Sequence, residues 1–125
     1  MIAADTSAMV AYFAGAQSSA DLDLLTAAMA SGDLALPPIV LTELLGSRSS
    51  ERSLEANLAQ IALLEITEGY WLRAGLARRR LFAKGLKAKV ADALIAQSCI
   101  DHDVALITRD RDFRHFAKHC GLKLA

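Results

Sequence analysis

The chain has 125 residues, 54% of them hydrophobic, and its 14 basic residues balance 14 acidic ones. This length suits a single domain over residues 1–125, the hydrophobic content excludes a disordered chain, and a zero net charge indicates neither nucleic acid nor an acidic partner. The longest charge-free run, residues 6–20, is too short and too polar to cross a membrane, and the start MIAAD lacks the basic residues of a secretory signal. We therefore expect a soluble, cytoplasmic protein.

Short apolar runs alternate with longer segments of helical period, which is typical of an α/β domain with a mainly parallel sheet. Pro37 and Pro38 open a helix, because a proline in the first turn lacks only an N–H that would have no partner there. In chain order, the first half is predicted as a strand at 2–4, a helix from about 7, a helix from 18 or 19 to 30, a strand at 34–36, a helix from the proline pair to 45, and a helix capped by Ser49 or Ser50 that ends near 63.

The second half of the chain holds the clearest helix and the clearest strand. Residues 88–102 carry small or apolar side chains at helical spacing, and residues 104–108 form an apolar run. In chain order, this half is predicted as a strand at 64–66, a helix capped by Thr67 and ended by Gly85, a helix at 88–102, a strand at 104–108, a helix at 111–120 and an edge strand at 122–124.

The helix at 88–102 carries an acid on its apolar face. Asp92 shares this face with Ala88 and Ile95. A buried carboxylate without a partner costs several kcal/mol or more, so its pKa rises, or a cation or hydrogen-bond donors meet it. A salt bridge within the protein is the structural alternative.

Three other acids are candidates for one shared site at the carboxyl edge of the predicted sheet. Asp5 ends the first strand and Asp110 follows the strand at 104–108, although each is also a reasonable N-cap. Glu43 shares a helical stripe with Val40, unless Leu41 and Leu45 define the inward face. In a parallel sheet the carboxyl ends of the strands form the crevice that binds ligands. Charges about 4 Å apart repel by roughly 4 kcal/mol at an effective dielectric near 20, so such a cluster requires a cation.

The candidate ligands are all oxygens, which favours Mg²⁺ or Mn²⁺ over Zn²⁺ and indicates phosphoryl chemistry. The cysteines, Cys99 and Cys120, have no metal-ligand spacing and are predicted to be free packing residues. His102, His115 and His119 are predicted to serve as caps or surface residues.

A basic stretch lies between the elements that carry Glu43 and Asp92. It could steer an RNA backbone toward the acidic pocket, or it could be an ordinary solvated helix face. Its candidate RNA-binding residues are Arg78, Arg79, Arg80, Lys84, Lys87 and Lys89.

Three segments together resemble the PIN-domain ribonucleases, and the short chain is similar to the VapC-type toxins of toxin–antitoxin pairs. The segments are MIAADTSAMVAYF, the Glu43 of IVLTELLG, and VADALIAQSCIDHDVALITRDRDF. The resemblance spans nearly all 125 residues. It implies a PIN-like α/β/α sandwich with a central, mainly parallel sheet.

The resemblance also implies an activity and its residues. The activity is Mg²⁺- or Mn²⁺-dependent endoribonuclease cleavage by a metal-activated water, with a small antitoxin and a second copy of the chain as partners. Asp5, Glu43, Asp92 and Asp110 take the positions of the family's acidic site as catalytic residues and metal ligands, and Asp112 matches a further metal-binding acid of that site. Thr6, Ser7 and Thr108 match the supporting hydroxyl positions.

Two other functions fit parts of the sequence. A non-catalytic binding module of the same fold would use the acids only as caps and salt bridges. The other is a phosphoacceptor receiver domain. That class carries an acidic pair after its first strand, whereas MIAADTS carries a single acid.

Overall fold

The computed structural model describes residues 1–47 and 52–125, and of Arg52 only the backbone. Ser49 and Ser50, the predicted helix caps, lie outside these residues. The elements are, in chain order, β1 (Ile2–Ala4), α1 (Thr6–Phe13), α2 (Ala20–Ser31), β2 (Leu34–Leu36), α3 (Pro38–Leu45), α4 (Arg52–Leu58), β3 (Ala62–Leu63), α5 (Tyr70–Phe82), α6 (Val90–His102), β4 (Ala105–Ile107) and α7 (Phe113–Cys120).

The described strands form one parallel sheet in the order β3-β2-β1-β4. β1 is central, with Ile2 opposite Leu34 on one side and Ala4 opposite Ile107 on the other. The α/β class, the parallel sheet and the strands at 2–4 and 34–36 are confirmed. Since β1 and β4 are adjacent and parallel, the residues that follow them emerge at the same edge of the sheet.

The core lies between the sheet and the helices that flank it. The strands β1, β2 and β4, each three residues long, are apolar because helices cover the sheet. α5 packs against α6 and α7, while α1 packs against α2 and α3. Phe113 and Phe116, at the start of α7, are among the largest fully buried side chains. Among the described residues, no helix has both the length and the apolar character needed to cross a membrane.

The third strand differs from its prediction. The helix predicted to end near 63 ends at Leu58, and the strand lies at Ala62–Leu63 rather than at 64–66. The reason is pairing with β2, which sets Ala35 opposite Ala62 and lets the Leu64 N–H donate to the carbonyl of Leu36 at 2.9 Å. An apolar run does not reveal which of its residues will pair. Likewise, the edge strand predicted at 122–124 is reduced to a single bridge between Leu124 and Leu106.

Several helices also begin at residues other than those predicted. Thr67 does not cap α5, because its hydroxyl donates to Asp101 and the helix begins after Gly69, which has the left-handed φ of 82° that glycine tolerates. α6 begins at Val90 rather than at 88, and α7 begins at Phe113 rather than at 111. In contrast, the N-cap alternative for Asp5 is confirmed at the start of α1.

Candidate metal centre

Asp5 is buried at the carboxyl end of β1, with 2% of its surface exposed. Its Oδ1 accepts the N–H of Ala8 at 2.9 Å, which caps α1. The hydroxyl of Ser7 lies 2.8 and 2.9 Å from the two carboxylate oxygens, and the hydroxyl of Thr108 donates to Oδ2. Burial raises the pKa of Asp5, these donors oppose the rise, and the charge of Asp110 adds to it. The carboxylate is therefore held in place but remains electrostatically costly.

The segment after β4, residues 108–112, is called here the acidic loop. The Thr108 hydroxyl accepts the N–H of Asp110 at 3.0 Å, and Oδ1 of Asp110 accepts the N–H of Asp112 at 2.9 Å. The N–H of Arg109 donates to the Ser7 hydroxyl at 3.0 Å. Ser7 and Thr108 thus connect the acidic loop to Asp5.

Three half-buried acids approach one another closely. Asp92, Asp110 and Asp112 each present a carboxylate oxygen, and these oxygens lie within 4.8 Å of one another. We call these three residues the acidic group. Asp112 is a full member, although the sequence indicated it less clearly than the other acids. Asp5 and Glu43 lie outside the group but flank it.

Asp92 shows the electrostatic cost of this arrangement. Its pKa is raised to about 6, first by burial and then by the charge of Asp110, with smaller contributions from Asp112 and Glu43 that the positive charge of Lys89 partly offsets. No salt bridge relieves it: the ion pairs among residues 1–47 and 52–125 join Arg73 to Asp101, Arg109 to Asp21 and Lys123 to Asp103. The salt-bridge alternative for Asp92 is thus not found in this part of the chain.

Glu43 is exposed on α3, and its Oε1 accepts the hydroxyl of Thr6 at 2.7 Å. Val40 and Leu44 are buried, whereas Glu43 lies on the exposed part of the same stripe, and Leu45 of the alternative face is exposed as well. The bond to Thr6 connects α3 to the first residue of α1. Glu43 is therefore tied to the residue that follows Asp5.

The cysteines and histidines do not join the acidic group. Cys99 and Cys120 are free, and the pKa of the buried Cys99 thiol is raised to about 12 by burial and by the charge of Asp5. Nε2 of His102 lies 2.7 Å from the carbonyl oxygen of Glu65. The ligand set available in the described residues consists of carboxylates.

The basic stretch divides into engaged and free side chains. Arg78 donates to the carbonyl of Ala88 at 2.8 Å and Arg80 to that of His119 at 3.1 Å. In the described part of the chain, the exposed residues of this stretch with neither an ion pair nor such a bond to a carbonyl are Arg79, Lys84, Lys87 and Lys89.

One connection was missed at the sequence level. The Nε of Arg109 donates to Oδ2 of Asp21 at 2.9 Å, and this ion pair is the main reason that the pKa of Asp21 is lowered to about 2. The two residues are 88 positions apart, and neither lies on an apolar face that would indicate an unusual acid. No local pattern could have revealed this pair.

The parallel sheet and the acidic group at its carboxyl edge define an α/β protein with a candidate ligand site where such folds bind ligands. Residues 2–119 match the PIN domain family, and the chain belongs to that family.

The fold is similar to solved structures of known proteins. One is VapBC2 from Rickettsia felis bound to a DNA fragment from its promoter, with a TM-score of 0.77 and 24% identity over 100% of this chain and 98% of that chain. Another is FitAcB from Neisseria gonorrhoeae, with a TM-score of 0.70 and 18% identity over 99% of this chain and 96% of that chain. At these identities the likeness establishes the fold alone. No curated protein matches the sequence significantly.

The residues present fit a divalent metal ion. Ligand oxygens bound to one Mg²⁺ lie roughly 3–4 Å apart, so the three oxygens of the acidic group need only small side-chain rotations to share an ion. An all-carboxylate set suits Mg²⁺ or Mn²⁺, which keep several waters when they bind proteins. Burial first, and then the charges of the neighbouring acids, raise the pKa of Asp92, and a bound cation would offset this cost.

Proposed function

We propose that this chain is a Mg²⁺- or Mn²⁺-dependent endoribonuclease and the toxin of a type II toxin–antitoxin pair. The observation that carries the proposal is the acidic group in a PIN-family chain, three carboxylate oxygens within 4.8 Å of one another. No ion pair neutralises these acids in the described part of the chain. A binding module has no need for such uncompensated charge, because caps and salt bridges would satisfy each acid separately.

In the proposed site, Asp92, Asp110 and Asp112 hold the metal, and Asp5 and Glu43 act from its flanks. A bound divalent ion would supply a Lewis acid for the phosphodiester and lower the pKa of a nearby water. Mg²⁺ in protein sites is commonly shared with substrate phosphate oxygens, which favours a nucleic acid as substrate.

The protein's own residues prepare the site for RNA. Ser7 and Thr108 fix the Asp5 carboxylate, so little reorganisation remains when substrate binds. The first turn of α6 places Lys89 close enough to influence Asp92. Lys89 and the N-terminus of α6, which no side chain caps, provide a positive region beside the acids, to which a backbone phosphate can dock.

Two partners are proposed, a small antitoxin and a second copy of the chain. The resemblance to VapC-type toxins and the similarity in fold to a chain of the VapBC2 complex support a small antitoxin that covers the site. Trp71 and Leu72, with 66% and 69% of their surface exposed on α5, support a homodimer, because exposed apolar clusters mark association surfaces.

The proposal is tested with purified protein, structured RNA and either Mn²⁺ or a chelator. We expect cleavage only with metal, and a loss of roughly 100-fold or more in Asp92→Asn and Asp110→Asn, beyond the loss typical of an outer partner of a metal ligand. Asp103→Asn is the matched control, since Asp103 is exposed and pairs with Lys123 away from the acidic group.

Equal cleavage by the wild type and both site variants would assign the activity to a contaminant and reject the nuclease. Intact RNA in every reaction, with metal present, would favour the binding module. Sequencing of RNA ends after induced expression would then identify the substrate of an active enzyme.

A further inference from the structure

Arg109 is the one basic residue of the acidic loop that is anchored at both its backbone and its side chain, among the residues that the structure describes. Its N–H donates to Ser7, whose hydroxyl contacts the Asp5 carboxylate. Its guanidinium reaches α2, where Nε donates to Asp21 at 2.9 Å and Nη2 donates to the Ser19 hydroxyl at 3.0 Å. The loop is thus attached to an element that contributes no acid to the site.

The α2 end of this link is itself ordered. Ser19 is the N-cap residue of α2, and its hydroxyl also donates to Asp21. Arg109 therefore binds two side chains that already contact each other. A planar guanidinium with several fixed donors suits such a pair better than a lysine would.

We propose that Asp21 and Ser19 act through Arg109 as positioning residues for the acidic loop and thereby set its affinity for a divalent ion. Arg109 directly precedes Asp110, whose carboxylate holds the N–H of Asp112. Fixing Arg109 thus restricts the backbone that carries two of the three acids of the group. The inference rests on the proposed metal-dependent function.

The chain offers a closely matched control for Asp21. Asp23 lies two residues further along α2, also in its first turn, and accepts a hydrogen bond from Ser18 at 2.7 Å rather than from Arg109. Asp21→Asn and Asp23→Asn remove the same charge from the same helix turn. Only the first substitution weakens the link to the acidic loop.

The experiment measures Mn²⁺ binding by calorimetry, without RNA. We expect Asp21→Asn to weaken Mn²⁺ binding by about tenfold, the low end of the range for partners of metal ligands, and Asp23→Asn to leave it unchanged. Arg109→Gln should reproduce the loss, and the double variant Asp21→Asn/Arg109→Gln should lose no more than either single variant. Arg109→Lys should recover part of the affinity.

A second readout needs no metal. In the metal-free protein, amide hydrogen exchange at Asp112 should become faster in Asp21→Asn than in Asp23→Asn, because the acidic loop opens more often. A pair that only stabilised the fold would lower the melting temperature without changing metal affinity or this amide.

The outcomes separate the inference from the proposed function. Equal Mn²⁺ affinity in the two asparagine variants would overturn the inference, whether or not the protein cleaves RNA. A wild type that binds Mn²⁺ but leaves RNA intact would reject the nuclease, while an affinity loss confined to Asp21→Asn and its partner variants would still support the positioning role. A wild type without affinity for Mn²⁺ would overturn both.

Discussion

The carboxylate of Asp5 serves both the backbone of α1 and the candidate metal centre. One oxygen caps the helix through the N–H of Ala8, and the two hydroxyl groups of Ser7 and Thr108 orient the group at the sheet edge. Asparagine also accepts a hydrogen bond at an N-cap, but it carries no charge. The two roles can therefore be separated by one substitution.

We predict that Asp5→Asn folds with nearly unchanged stability but loses RNA cleavage by about 100-fold, as for an outer partner of a metal ligand. Asp5→Ala should lose the same activity and, in addition, about 1 kcal/mol of stability because the cap is missing. Thermal melts and cleavage rates on the same preparations check both parts. If Asp5→Asn cleaved RNA at the wild-type rate, Asp5 would be excluded from the chemistry.

The sequence indicated which acids are candidates for the site better than it indicated which of them approach one another. Asp92 was recognisable because a charge on an apolar face is costly, and Asp110 because it follows a strand. The close approach of Asp112 depends on the turn in which Asp110 binds its N–H, and that turn follows from tertiary contacts through Thr108 and Ser7. Spacing alone could not distinguish this turn from two independent caps.

At the scale of elements, α6 places an acid in its first turn beside other acids. The pKa of Asp92 is about 6 in the folded protein against an ordinary value of 3.8. Because the folded state holds the proton more tightly, this group costs no stability below pH 4 and costs progressively more as the pH rises through 6. A shift of about two units corresponds to at most about 3 kcal/mol, which solvent screening of this half-buried group reduces to about 1 kcal/mol.

We therefore predict that metal-free Asp92→Asn is more stable than the wild type at pH 7.5 by about 1 kcal/mol, and that this gain shrinks toward pH 4. Mn²⁺ should reverse the order at pH 7.5, because it stabilises the protein that binds it more tightly. Chemical denaturation in chelator and in Mn²⁺ measures both differences, with Asp103→Asn as control. If the wild type were more stable than Asp92→Asn in chelator at pH 7.5, the electrostatic explanation for α6 would be contradicted.

Most elements were predictable because their apolar residues repeat with the period of a helix or form short buried runs. β1 and β2 matched their predicted bounds, whereas β3 shifted to Ala62–Leu63. In that region, Ala62, Leu63, Leu64 and Ile66 are all acceptable strand residues, and pairing with β2 made the choice. Sequence pattern indicates that a strand exists more reliably than it indicates which residues pair.

At the scale of the whole molecule, the charges of a neutral chain are unevenly distributed. The basic stretch precedes α6, whose first turn faces the acidic group. Arg78 and Arg80 also bond to backbone carbonyls, so replacing them would disturb α5 and α7 as well as the surface charge. Arg79, Lys84 and Lys87 are better test positions because they are exposed.

We predict that the triple variant Arg79→Gln/Lys84→Gln/Lys87→Gln binds RNA more weakly and with a salt dependence reduced by up to about 2 in the slope of log K against log salt. The melting temperature should change little. Lys123→Gln, which removes a cation paired with Asp103, is the control. RNA affinity measured at several salt concentrations tests this prediction. An unchanged slope would show that RNA does not bind to the basic stretch.

The two margins of the sheet bear on how the protein can associate with others. β3 is two residues long, and on the opposite side Leu106 exchanges hydrogen bonds of 2.9 Å with the terminal segment, from its N–H to Lys123 and from Ala125 to its carbonyl. Within residues 1–47 and 52–125, neither margin offers a long row of free backbone groups on which a foreign strand could be templated. Growth of the sheet into a fibre is therefore disfavoured.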